Sequence, residues 1–229
     1  MLGGEARDRV AGFWRALRLQ PPPEPDHLSV LLALYASLIE LEVAEVDPAR
    51  RALRTESRRA LLWEHLLTWL PQYLFRLRKL PAPAYGAWAD LLDRALREEA
   101  RQLSAPTTVP LHFRDLRGMA DPREEGGEAF LGSVLAPAQS GLILVRADLV
   151  EAARDLGLGL RQGERRYVLL ALFGQDGPAT LGWLARLAGS WVEAQGALPA
   201  VLEPVTTSWL ERAGATAELL SRLAEAEAP

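Results

Sequence analysis

A chain of 229 residues that is 49% apolar, with 26 basic and 30 acidic side chains, can bury one substantial core or two small ones, which excludes disorder as its whole description. Its longest charge-free run, Ala129–Val145, has 17 residues and includes Gly132, Pro137 and Gly141, short of the roughly 20 apolar residues of a membrane span. Cysteine is absent, which excludes disulfides, thiolate metal sites and thiol nucleophiles, and the net charge of −4 argues against a nucleic-acid ligand.

The chain reads as helices separated by prolines. Val10, Phe13, Trp14 and Leu17 recur at i, i+3, i+4 and i+7, which predicts a helix over about Glu5–Leu19, ended by Pro21, Pro22, Pro23 and Pro25. Asp26 then stands as the N-cap of a second helix whose apolar stripe is Leu28, Leu31, Leu32, Tyr35, Leu38 and Ile39, with Pro48 as its far limit. A third is expected from about Thr55 to Leu70, showing Leu61, Leu62, His65, Leu66 and Trp69 on one side, and Pro71 opens a short continuation through Tyr73, Leu74 and Leu77. The fifth starts near Pro83 and carries Tyr85, Trp88, Ala89, Leu92 and Leu96.

Residues 1–105 thus form a helical core. Residues 106–141, rich in Pro, Gly and Thr, read as an irregular linker or crossover, and 142–229 as a second helical half. In that half helices are expected at about Arg146–Leu156, Glu164–Phe173, Pro178–Ala194, Pro199–Ala213 and Thr216–Glu225. No stretch alternates apolar and polar residues, so the predicted class is all-α, a multi-helix bundle of about ten helices.

Signatures of catalysis fail. Gly157-Leu158-Gly159-Leu160 is followed by Gly163 and lacks the third glycine of a dinucleotide loop; no Gly-Lys-Ser/Thr and no Gly-x-Ser-x-Gly occurs. Neither His27 nor His65 has a second ligand at i+3 or i+4, so neither a metal nor a cofactor is expected. Glu5, Arg7, Asp8 and Arg9 stand where a secretory leader would be apolar, which makes the cytoplasm the expected location. On residue chemistry alone Asp26 is a cap, His27 lies exposed in a first turn, and His65 is a satisfied core histidine beside Trp69.

Three segments nevertheless form a pattern. Pro23-Glu24-Pro25-Asp26-His27-Leu28 opens an apolar helix, Trp63-Glu64-His65-Leu66-Leu67-Thr68-Trp69-Leu70-Pro71 follows, and Tyr85-Gly86-Ala87-Trp88-Ala89-Asp90-Leu91 comes next. Together they resemble the core of the TorD/DmsD/NarJ chaperones for molybdenum oxidoreductases. The stretch from Phe130 through Ser140–Asp148 to Gly163–Arg166 resembles an extension of some members. The resemblance implies an all-helical protein without catalytic activity that binds the twin-arginine signal peptide and the apo form of a molybdopterin oxidoreductase catalytic subunit until cofactor is loaded, before export. It also implies peptide-site roles for Glu24, Pro25, Asp26, His27, Tyr35, Trp63, His65 and Trp69. Only 23 residues precede Glu24, where the family has a longer helical half, so either the second half of this chain replaces it or a homodimer supplies it by exchange.

A twin-arginine peptide presents cations followed by an apolar stretch, and its receptor needs carboxylates beside an apolar groove. Residues 1–47 hold eight acids and four bases, with Glu40, Glu42 and Glu45 close together, and residues 48–106 hold eleven bases and six acids. The acidic end is therefore expected to meet the peptide and the arginine-rich face to meet an acidic client surface, solvated helix faces being the other reading of both. A helical scaffold or regulatory module with no molybdoenzyme client is the alternative function.

Overall fold

The computed structural model describes residues 4–108, 110–114, 117–196, 198 and 200–227, and among these every regular element is a helix. The expected all-α class holds. None of these helices is long and apolar enough to cross a membrane. The chain divides into two compact units, Met1–Pro110 and Leu111–Pro229.

The first unit contains α1 (Glu5–Ala16), α2 (Leu28–Ala44), α3 (Pro48–Ala60), a π-helical segment (Leu61–Leu66), α4 (Leu70–Arg78) and α5 (Pro83–Gln102). In α2 the buried residues Leu31, Leu34, Tyr35 and Leu38 follow the i, i+3, i+4, i+7 spacing of a core-facing stripe. Its N-cap is His27, not Asp26. His27 keeps extended backbone angles, and its Nδ1 accepts the Ser29 amide at 3.3 Å, so the helix starts one residue later than the acidic side chain suggests. Helix α3 begins at Pro48, seven residues before the expected start. Asp47 accepts from the Ala49 amide at 2.8 Å and Pro48 occupies the first turn, while the arginine-rich stretch that follows has too few apolar residues to show a period.

The helix expected to run through Leu70 widens instead. The Leu67 amide donates to the Leu62 carbonyl at 2.8 Å, a five-residue step, and the chain leaves the π segment through a turn before α4. Leu61, Leu62 and Leu66 are fully buried there. Two helical hairpins flank this segment, α2 with α3 and α4 with α5. The second is tied by Arg78, which reaches Asp90 at 2.6 Å and Asp93 at 3.0 Å, while Arg97 reaches Asp93 at 2.5 Å.

The second unit contains α6 (Leu111–Arg114), α7 (Pro122–Glu125), α8 (Gly127–Val134), α9 (Pro137–Ser140), α10 (Arg146–Asp155), α11 (Arg165–Gln175), α12 (Gly177–Gly196), a 3-10 turn (Ala200–Leu202) and α13 (Glu203–Glu227). Four short helices therefore occupy the stretch read as an irregular linker, and the prolines and glycines that suggested irregularity mark where α7, α8 and α9 begin. Phe130, Leu131 and Val134 of α8 join the core formed with Leu149, Leu169, Leu184 and Leu220. Helix α13 is continuous where two helices were expected, because nothing crowds Gly214 and a single glycine inside a helix costs only about 1 kcal/mol.

Gly141, after α9, has φ +72°, and a β-carbon there would stand 2.5 Å from the backbone nitrogen of Ala213. Both the left-handed angle and the close approach of α13 require glycine. Gly141→Ala is expected to destabilise the protein by about 2 kcal/mol, measured as a lowered urea midpoint, whereas Gly132→Ala, with open space around it, should not.

Candidate functional site

The acidic end of α2 is the first place where the structure departs from the expected peptide site. Across the hairpin of α2 and α3, acids at the end of α2 meet arginines of α3. Glu42 pairs with Arg58 at 3.2 Å and accepts from the Thr55 hydroxyl at 2.9 Å; Glu45 pairs with Arg54 at 3.0 Å. Arg58 also reaches Glu99 of α5 at 3.6 Å, and the Tyr35 hydroxyl donates to the same carboxylate. Glu42 and Glu45 are thus internally neutralised, and Tyr35 is a buried strut, not a surface contact. Burial first, and then the Glu99 carboxylate, push the Tyr35 phenol well above its ordinary value near 10. Glu40, by contrast, is exposed and has no arginine partner among the described residues.

The turn before α2 makes its hydrogen bonds locally. The His27 amide donates to Glu24 at 3.2 Å, and the His27 ring shares a 2.8 Å hydrogen bond with the Ser29 hydroxyl. Pro25 is buried and anchors the turn; Glu24 and His27 are exposed and Asp26 is half-buried.

The Trp63–Pro71 motif resolves into an inner and an outer part. Trp63 is only 2% exposed and donates its indole N–H to the Leu103 carbonyl at 2.8 Å, which fastens the π segment to the end of α5. It is a core residue and cannot line a groove, although the sequence pattern places it in the peptide site. His65 lies against Phe13 of α1, ring centroids 5.2 Å apart, and its carbonyl accepts the Trp69 indole N–H at 2.7 Å. Trp69 meets Tyr73 edge to face at 5.8 Å. The structure thereby joins Phe13, His65, Trp69 and Tyr73 into one aromatic row, of which sequence reasoning selected only the middle two. Glu64 beside His65 is exposed. Phe13 and Tyr73 carried only a helical-period signal, which does not distinguish a core stripe from a contact surface.

The third motif is the most open. On α5, Tyr85 is 61% exposed, Trp88 38% and Leu91 60%, spaced at i, i+3 and i+6 along one side of the helix. These three side chains give that side of α5 an exposed apolar character. In the second unit Phe130, Leu131, Leu170, Phe173, Leu181 and Leu223 line a recess of about 300 Å³. Among the described residues, no titratable side chain borders that recess. Arg165 and Arg166, in the stretch that resembles the extension, hold the unit together, the first donating to the Leu144 carbonyl and the second pairing with Glu128.

These surfaces suit the capture of an apolar or amphipathic segment better than a chemical step. No curated protein and no solved structure matches the chain. Residues 1–74 are matched by the family described as nitrate reductase delta subunit, a span that includes the Glu24–His27 turn and the Trp63–Pro71 motif but stops before Tyr85 and before the second unit. The first 74 residues thus carry the sequence pattern of a NarJ/TorD-type chaperone family, the one to which the TorD/DmsD/NarJ resemblance points.

Proposed function

We propose that this protein is a cytoplasmic chaperone without catalytic activity that holds the apo catalytic subunit of a molybdopterin oxidoreductase, binds its N-terminal signal peptide, and releases it for export once cofactor is inserted. The observation that carries the reading is the match of residues 1–74 to the nitrate reductase delta subunit family, because that span contains the aromatic row built on the π segment. π-helical turns are rare and concentrate at functional sites. Trp69, with Tyr73 and His65, supplies the apolar contact to the peptide. The exposed acids Glu24, Glu40 and Glu64, with half-buried Asp26, supply the charge opposite its arginines. The stripe Tyr85, Trp88 and Leu91 then serves the folded body of the client.

Apolar contact should dominate affinity, since an exposed ion pair contributes only about 0–1 kcal/mol. In a calorimetric titration of a synthetic client signal peptide, Trp69→Ala is expected to weaken binding by about 2 kcal/mol, roughly thirtyfold, while Glu40→Gln changes it by a factor of a few and only at low salt. Equal binding by wild type and Trp69→Ala would remove Trp69 from the site. A chain that binds a generic amphipathic helix as well as the signal peptide would favour a helical scaffold instead.

A further inference from the structure

We infer that α1 occupies the signal-peptide seat as an internal stand-in, and that the client peptide binds by displacing it. The inference rests on the peptide-binding function proposed above and adds a mode of regulation to the same site.

Three features of α1 point to this. The helix and its C-cap place cations ahead of apolar residues, the order assigned to the ligand: Arg7 and Arg9, on either side of Asp8, then Val10, Ala11, Phe13 and Trp14, with Arg15 between these and Leu17. It is laid on the motif that the ligand would need, since Phe13 covers the ring of His65, whose carbonyl holds Trp69. Val10 and Ala11 are buried, while Phe13, Trp14 and Leu17 are only half-buried. Its seating is also imperfect. The Trp14 indole nitrogen is enclosed with no hydrogen-bond acceptor among the described residues, a penalty that a better-matched occupant would not incur.

The attachment of α1 suits a part that moves. Arg18, at its end, has φ +60°, a left-handed conformation that a non-glycine residue adopts only under strain. Pro21, Pro22 and Pro23 follow as a stiff spacer, and Arg7 returns to the Pro23 carbonyl at 3.0 Å, an exposed hydrogen bond that closes the arm. A helix of 12 residues is marginal when detached, so release would convert it to an unstructured arm.

An occupied seat lowers apparent affinity by the fraction of molecules in which it is open. Phe13→Ser in the full chain should therefore raise affinity for a synthetic twin-arginine peptide about tenfold, and Arg7→Ala should raise it less, in the same direction. On the unmodified chain, hydrogen–deuterium exchange gives a test that does not depend on any variant folding well. Peptide binding should speed exchange at residues 5–16 while the π segment and α4 stay protected. Peptide that binds with α1 unchanged or more protected, or a folded Phe13→Ser chain that binds no better, overturns the inference and leaves the proposed function standing. If no form of the chain binds the peptide, the peptide-binding function fails and the inference fails with it.

Discussion

Arg58→Ala should cost about 3 kcal/mol of folding stability or more, one of the two largest effects expected of any single substitution in the first unit. Arg58 bridges Glu42 and Glu99, and all three side chains are largely withdrawn from water, at 10%, 17% and 21% exposure. Removing the cation leaves two carboxylates enclosed without their partner, and breaking a buried pair from one side typically costs about 3–5 kcal/mol, with residual solvation placing this case at the lower end. Glu99→Gln should cost less, about 1 kcal/mol, because the amide oxygen still accepts from Tyr35 and Arg58 keeps Glu42. Chemical denaturation of the two variants separates these outcomes, and equal losses would show that charge is not what holds the cluster.

The same cluster sets an alkaline limit. The Tyr35 phenol ionises well above its ordinary value in the folded state, so the stability it contributes is complete below about pH 10 and is lost as pH rises from there toward the folded value. Denaturation midpoints followed from pH 9 upward should fall for wild type and fall less steeply for Tyr35→Phe.

Trp63→Ala should be comparably damaging, at about 3–5 kcal/mol for the cavity alone, with a further about 1–3 kcal/mol for the Leu103 carbonyl left without a donor. Trp63→Phe refills most of the space but not the hydrogen bond, so its loss should fall between wild type and alanine. Such losses identify Trp63 as a residue that shapes the site from within. Peptide affinity per folded molecule should hardly change in Trp63→Phe, whereas Trp69→Ala should lose affinity with little loss of fold.

The boundaries that the sequence conveyed were those set by local chemistry. α1, α2 and α5 are legible because each buries one stripe at helical spacing, and Pro21–Pro25 and Pro83 mark ends that any reading would place. The start of α3 was marked only by Asp47-Pro48, a cap followed by a first-turn proline, and not by periodicity, since its arginines face solvent, α2 or, at Arg58, also Glu99 of α5. The π segment left no mark, because it changes the hydrogen-bond step without changing residue type, and it turns Trp63 inward while leaving Trp69 half-exposed. The pairing of Glu42 with Arg58 and Glu45 with Arg54 could not be read from distance to the Val46–Asp47 turn, because each arginine lies farther along α3 than its partner lies back along α2. Expecting Glu42 and Glu45 to meet a peptide overlooked these nonlocal ion pairs. Phe130 and Leu131 were hidden in a stretch whose glycines and prolines describe helix ends, not the absence of helices.

The central claim concerns what happens to the client, and the most direct measurement is its cofactor content. A molybdopterin oxidoreductase catalytic subunit from the same source would be produced with and without the chain, purified, and assayed for molybdenum per polypeptide by mass spectrometry. The chaperone function predicts a several-fold loss of molybdenum without the chain, restored by wild type and only in part by Trp69→Ala. Equal molybdenum with and without the chain would contradict it.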